Sequence, residues 1–354
     1  MTFCTDTGSL AMRVNRVRTS FQSGGITCVG YVYRQADAES ALLPCIVMAH
    51  GFGGTQEGSL KSTAEDFASA GFMVLTFDYR YLGESGGDPR QIISISGQLE
   101  DWHVAVGHAR SLPGVDRARI AIWGSSLSGG HVVEVAARDD RIAAVVAQVP
   151  FNGFPSKIEG RSRAETWRLM LAIIKDWWRG ATGRPPFYVP AVAPRGELAV
   201  MAFDKAADII RSMSNETWRN EIAPRVLLEM MFSYRPGRKA HRLKMSILVC
   251  LAENDAQTPS RLGRKIADNA PLGELRRYPC THFDFYRDSI RQTVVADQIS
   301  FLETQLVMRP NYRRRADPVQ TIGTSGDARP TVPVREHREA EPHDGGIVDH
   351  RPLR

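Results

Sequence analysis

Residues 120–131 read Ile-Ala-Ile-Trp-Gly-Ser-Ser-Leu-Ser-Gly-Gly-His, an apolar run that gives way abruptly to small residues. Ile120, Ala121, Ile122 and Trp123 predict a buried strand; Val132, Val133, Val135 and Ala136 predict the helix that follows. Ser126 stands at the apex of the turn between them. A serine on so sharp a strand-to-helix turn projects its hydroxyl above the sheet, and small flanking residues let strand and helix approach closely. The same turn aims the first backbone N–H groups of the helix into that space, where negative charge is favoured. Nucleophilic acyl transfer would use both features. A plain structural turn is the alternative, because Gly/Ser-rich loops are common, and the surrounding elements must decide.

Those elements alternate. Residues 16–21 and 26–33 show strand periodicity around Ser23-Gly24-Gly25 and predict a hairpin. Residues 45–49 form a continuous apolar run, the mark of a central parallel strand, and end in His50-Gly51-Phe52-Gly53-Gly54. A helix through Leu60, Phe67 and Ala70 leads to a strand at 72–77 and then to a turn at 78–87. A helix through Leu99, Trp102, Val106 and Ala109 precedes the strand that carries Ser126. Strands at 142–149 and 246–251 follow, the second ending in Ala252-Glu253-Asn254-Asp255. A helix at 262–270, a strand at 275–278, a loop holding His282 and a closing helix near 288–307 complete the series. This alternation predicts an α/β fold, a mostly parallel central sheet with helices on both faces.

The pattern stops between Val149 and Met245, which divides the chain into a core (1–150 and 246–308), a helical cap insertion (151–245) and a tail (309–354). The insertion is dense in Trp and Met, and Trp167, Leu171, Ile174 and Trp178 recur at helical spacing. A further run looks capped by Asn215 and broken or restarted at Pro224. An insertion placed after the strand that follows the elbow would sit over Ser126, which makes Phe151, Trp177 and Trp178 candidate substrate contacts. The alternative is that these stripes only pack the cap onto the core. The tail is rich in Pro, Arg, Asp and Glu and poor in large apolar residues, so it is expected to be disordered.

Composition narrows the function. With 354 residues, 43% hydrophobic and 24% charged, the chain has the balance of an ordinary globular protein. Its net charge of +6 is interspersed, and the sharpest cluster, Arg313-Arg314-Arg315, lies in a tail that also holds many acids, which excludes a nucleic-acid partner. Cysteines at 4, 28, 45, 250 and 280 lack ligand spacing and suit reduced thiols in the cytoplasm. The N-terminus carries no apolar signal region, and no run approaches the ~18 apolar residues of a membrane span. No metal-ligand cluster and no Gly-x-Gly-x-x-Gly stands out, so no cofactor is expected. His103, His108 and His131 fall on expected helices and read as structural.

Four motifs then fall in a familiar order. His50-Gly-Phe-Gly-Gly54, Asp78-Tyr-Arg-Tyr-Leu-Gly-Glu-Ser-Gly-Gly87, Gly124-Ser-Ser-Leu-Ser128, and the loops at Asp255 and at Thr281-His-Phe-Asp-Phe-Tyr286 resemble the α/β-hydrolase superfamily over roughly residues 14–308. Trp123–Val132, Ala147–Phe151 and His282–Tyr286 are similar to a narrower group of bacterial acyl hydrolases and fungal polyketide acyl transferases. The resemblance implies an α/β-hydrolase fold with Ser126 as nucleophile, Asp255 as acid and His282 as base. The oxyanion donors would be the backbone N–H groups of Phe52 and Leu127. Ser128 departs from the second glycine of the elbow motif, and Thr281 replaces a frequent glycine. Glu253 competes with Asp255 as the acid; His50 is expected to brace the oxyanion loop, and Asp78 and Glu84 to have surface or turn-stabilising roles. The function implied is a serine hydrolase that cleaves an ester or thioester of a fairly apolar acyl group, small or carrier-bound, through an acyl-enzyme. An acyltransferase, a serine peptidase and a non-catalytic small-molecule receptor are the alternatives.

Overall fold

The continuous apolar runs become the middle of one sheet. A computed structural model describes residues 13–36, 42–155 and 161–308, so the expected disordered tail lies outside the described residues. Strands β1 (Val14–Ser23) and β2 (Ile26–Gln35) form an antiparallel hairpin that turns on Gly24 and Gly25, both at positive φ. Then come β3 (Leu43–Ala49), α1 (Ser59–Ser69), β4 (Met73–Phe77), α2 (Ile95–Ser111), β5 (Val115–Ser125), α3 (Leu127–Ala136) and β6 (Ala144–Gln148). The insertion contributes α4 (Arg163–Ala181), the two-residue strands β7 (Val192–Ala193) and β8 (Met201–Ala202), α5 (Ala206–Met213) and α6 (Val226–Phe232). The chain returns through β9 (Ser246–Ala252), α7 (Ser260–Asn269), β10 (Gly273–Tyr278) and α8 (Asp288–Glu303).

The eight-stranded sheet runs β1-β2-β4-β3-β5-β6-β9-β10, parallel from β4 onward and antiparallel at β1–β2 and β2–β4. Alternate residues of each central strand serve opposite faces, as the pleat requires. Val47, Leu75 and Ile122 pack with Trp102 of α2 and Val133 of α3, whereas Ile46, Met48 and Val74 pack with Phe67 of α1 and Phe301 of α8. From β3 the chain crosses to β4 on one side, and from β5 to β6 on the other. The carboxyl ends of β3 and β5 therefore lie side by side, with Ala49 paired to Gly124. That reversal is where open α/β sheets leave a crevice for ligands.

Within the insertion, Ser162 and Glu165 form a reciprocal cap at the start of α4. Buried Asp176 anchors this helix by accepting from Arg225 Nε and Nη2, both at 2.8 Å. Asn215 starts no helix. Its side chain accepts from the N–H groups of Thr217 and Trp218, both at 3.0 Å, a local turn that competes with helix propagation. Helix α5 ends before it, at Met213, and α6 begins only at Val226.

Candidate active site

Ser126 has φ +57° and ψ −118°, a conformation that costs a side-chain-bearing residue about 1–3 kcal/mol unless its surroundings enforce it. They do so here. Ser126 N–H donates to Gln148 O at 2.9 Å, and Phe151 N–H donates to Ser126 O at 2.8 Å, so the end of β6 and the residues just after it clamp the turn from one side. A Cβ on Gly124 would collide with the Ser128 carbonyl, which explains glycine there. Ser128 is bonded within the core, where its Oγ lies 2.6 Å from Tyr79 OH and accepts from Trp102 Nε1 at 3.3 Å. A second glycine at this position would leave that buried pair one partner short.

Across the crevice, His282 Nδ1 lies 2.8 Å from Asp255 Oδ2, and both residues are buried. Asp255 Oδ1 accepts from the N–H groups of Gln257 (2.8 Å) and Thr258 (2.7 Å). Burial alone would raise the Asp255 carboxyl. Attraction and hydrogen bonding from His282, with the bonds from Thr258, outweigh it and hold the group below the ordinary carboxylate value. Glu253, the competing acid, instead pairs with Arg277 at 3.1 Å in an exposed position. Thr258 Oγ1, to which sequence reasoning assigns no role, sits 2.8 Å from Asp255 Oδ2 and 3.2 Å from His282 Nδ1.

Ser126, His282 and Phe52 line one cavity of about 230 Å³, together with His50, Trp218, Phe283 and Tyr286. A second cavity of about 130 Å³ shares Ser126, Phe52 and Met201 with the first and adds Leu127, Phe151, Phe154, Leu227 and Met230. Trp177 and Trp178 line neither. The stripe they belong to faces outward, with Trp167 67% exposed, Leu171 63%, Trp177 55% and Trp178 47%, whereas Leu169, Ala172, Ile173 and Asp176 turn inward. The expectation that these two tryptophans contact substrate is corrected: apolar spacing marks a face, and here the inward face is the smaller-residue one. Trp218 instead lines the larger cavity, with its Nε1–H donating to Gly53 O at 2.9 Å.

Beneath the elbow runs a buried polar chain with no counterpart in the sequence reading. Trp123 Nε1–H donates to Gln298 Oε1 (2.9 Å), Gln298 Nε2–H to Gln148 Oε1 (3.0 Å), and Gln148 Nε2–H to Ser125 Oγ (3.1 Å), which lies 2.9 Å from Tyr286 OH. The signal was present: Gln148 and Gln298 are long polar residues inside apolar runs. Asp78 is not a surface residue either. Fully buried, it accepts from Gln56 N–H (2.7 Å) and Glu84 N–H (2.9 Å), tying the loop after β3 to the turn after β4. Burial pushes its pKa up to about 7. Burial also lowers His50 to about 4; its Nδ1–H donates to Gly51 O at 2.9 Å, and its Nε2 stands 3.5 Å from Asp78 Oδ1. His131 is buried between Tyr234 OH (2.6 Å) and Gln98 Oε1 (2.9 Å). Among the described residues no His, Cys, Asp and Glu cluster is placed to hold a metal ion, and Cys28, Cys45, Cys250 and Cys280 are buried free thiols. No described helix is long and apolar enough to cross a membrane.

Comparison with known proteins gives this geometry a context. Residues 42–282 match the family described as serine aminopeptidase, S33. The chain is 40% identical over 286 residues to the quorum-quenching protein AidA of Acinetobacter baumannii, covering 80% of this chain and 93% of that one. It is 33% identical over 202 residues to the thiohydrolase apmlB of Arthrinium phaeospermum, covering 56% of this chain and 64% of that one. Its fold is similar to the crystal structure of the α/β hydrolase GrgF from Penicillium sp. sh18, with a TM-score of 0.69 at 22% identity over 82% of this chain and 99% of that one.

Proposed function

Because the chain belongs to the serine aminopeptidase S33 family of α/β hydrolases, we propose that it cleaves an ester or thioester through an acyl-enzyme on Ser126. The observation that carries this reading is the Asp255–His282 pair, held at 2.8 Å, on a cavity that Ser126 also lines. With Nδ1–H committed to Asp255, the free Nε2 of His282 takes the Ser126 proton as the hydroxyl attacks the acyl carbon. The N–H groups of Leu127 and Phe52 hold the oxyanion, each worth about 10²–10³ in rate. His282 then returns the proton to the departing oxygen or sulfur, and water repeats the cycle to release the acid.

The thiohydrolase among its relatives supports a thioester substrate. Residues 151–245 act as a cap: Trp218 bonds to the oxyanion loop, and Phe203 stacks on Phe283 beside His282 at 5.0 Å. The smaller cavity, walled by Phe151, Phe154, Leu227 and Met230, supports a mainly apolar acyl group. Peptidase action on a free amino terminus is disfavoured, because the carboxylates of the larger cavity, Glu57 and Asp288, are already paired with Arg16 and Arg291. The buried free thiols support a reducing, cytoplasmic setting.

The test is kcat/KM on a matched butyryl oxyester and thioester. Ser126→Ala and His282→Ala should each lower kcat by several orders of magnitude, and the double variant should fall little further, since the residues act as a unit. Asp255→Asn should cost somewhat less. Most activity surviving in Ser126→Ala would refute the mechanism.

A further inference from the structure

Two cavities meet at Ser126, and the path of the proton tells them apart. His282 must hand its proton to the leaving group, so the leaving group lies on the His282 side of the scissile bond. His282 lines the larger cavity and not the smaller one, which is lined instead by Leu127, an oxyanion donor. The acyl chain therefore belongs in the smaller cavity.

Among the aromatic and aliphatic walls of that cavity stands a cation, Arg161. Its Nη2 donates to the carbonyls of Ala199 (2.8 Å) and Val200 (3.0 Å), whereas Nε and Nη1 have no hydrogen-bond partner among the described residues. No described carboxylate lies within ion-pair distance of it; Glu165, at the start of α4, attracts it from farther off. The other guanidinium of the lining, Arg195, is paired with Asp204 at 2.8 Å. Neither Glu165 nor Asp204 lines the cavity. Burial pulls Arg161 below the ordinary guanidinium pKa and Glu165 offsets this only in part, as expected of a half-buried cation without a close counter-ion. Such a group costs free energy in the empty site and recovers it when an anion arrives.

We propose that Arg161 binds a carboxylate at the far end of the acyl chain, so that the preferred substrates are esters or thioesters of dicarboxylic half-acids. This rests on the serine-hydrolase reading above. The chain's methylenes lie against Phe151, Phe154, Leu227 and Met230, and the terminal carboxylate accepts a charge-assisted hydrogen bond from Nη1. The anchor acts on binding, far from the reacting atoms, so its contribution falls mainly on KM.

The experiment compares p-nitrophenyl monoadipate with p-nitrophenyl hexanoate, which carry the same methylenes and differ only in a terminal carboxylate or methyl. The native enzyme should favour the adipate in kcat/KM by roughly tenfold or more, the order expected of a hydrogen bond to a charged group. Arg161→Gln should abolish that preference by raising KM for the adipate, leave kcat on the hexanoate nearly unchanged, and be partly rescued by Arg161→Lys. Free adipate should compete with the hexanoate in the native enzyme and not in Arg161→Gln. If that variant does not fold, the native preference decides alone: one that shrinks with added salt supports the anchor. A native preference for the hexanoate, or equal losses on both esters in Arg161→Gln, would overturn it and leave Arg161 as a prop for residues 199–200. Failure to turn over either ester, with Ser126 unreactive to a fluorophosphonate, would instead remove the serine mechanism and the inference with it.

Discussion

A side chain on Gly51 would bring its Cβ within 2.8 Å of the Ser126 Cβ and 3.5 Å of the Ser126 Oγ. The first residue after His50 is thus glycine because the loop after β3 passes directly over Ser126. The closeness follows from sheet order, which sets the ends of β3 and β5 side by side.

Gly51→Ala should consequently lower kcat on a butyryl ester about 10²-fold, by displacing either Ser126 or the Phe52 N–H. The loss of stability should be modest, about 1–3 kcal/mol, the usual range for overpacking. Full activity in this variant would show that the loop yields freely and does not fix the oxyanion donor.

Buried histidine makes stability depend on pH with a definite sign. Burial, aided by His50, lowers His131 to about 3, whereas a histidine in the unfolded chain titrates near ~6.5. Between those values only the unfolded state takes up the proton. The contribution is therefore complete above ~6.5 and is lost as pH falls toward 3, by up to about 1.4 kcal/mol per pH unit. Asp78 works in the opposite sense: raised to about 7 by burial, it holds a proton in the folded state that an unfolded Asp has lost above ~3.9. His131→Gln should flatten the acid limb of a plot of Tm against pH. An unchanged limb would mean that His131 is not kept neutral.

Asp176→Ala removes the carboxylate that accepts from Arg225 and from the N–H of Phe187 at 2.9 Å. Breaking a fully buried pair typically costs about 3–5 kcal/mol, and since Arg225 keeps some contact with water the loss here should be about 2–4 kcal/mol. Urea denaturation should show a loss of that order. A change below ~1 kcal/mol would mean that α4 is held by its apolar side alone.

Trp177→Ala and Trp178→Ala should leave kcat/KM unchanged across an ester series of increasing acyl length, because both rings face away from the cavities. Trp218→Ala should lower turnover throughout, since it removes a wall of the larger cavity and the bond to Gly53. A shift in preferred chain length in Trp177→Ala or Trp178→Ala would restore them as substrate contacts.

The contrast between these tryptophans shows where the sequence is legible. Strands β3 and β9 and the second half of β5, Ile120–Trp123, are apolar runs, so their existence and burial could be read directly, and so could the motifs at their ends. The insertion could not be read in that way, because a helical stripe records that a face is apolar and not which way it points. Asn215 has the composition of a helix cap and makes a turn, since the same side-chain hydrogen bonds serve either structure. Asp78 does brace the turn after β4, but its burial could not be read, because it depends on Gln56, 22 residues away, whose N–H and side chain both donate to it. Thr258 needs the fold to bring it to His282, 24 residues away.

Covalent capture of the nucleophile tests the central claim most directly. The native chain is incubated with a fluorophosphonate, the intact mass is measured, and the modified peptide is mapped. One adduct per chain is expected, on Ser126, absent in Ser126→Ala and slowed at least about 10²-fold in His282→Ala. An adduct on another residue, or one that persists in Ser126→Ala, would contradict the assignment of Ser126 as the nucleophile.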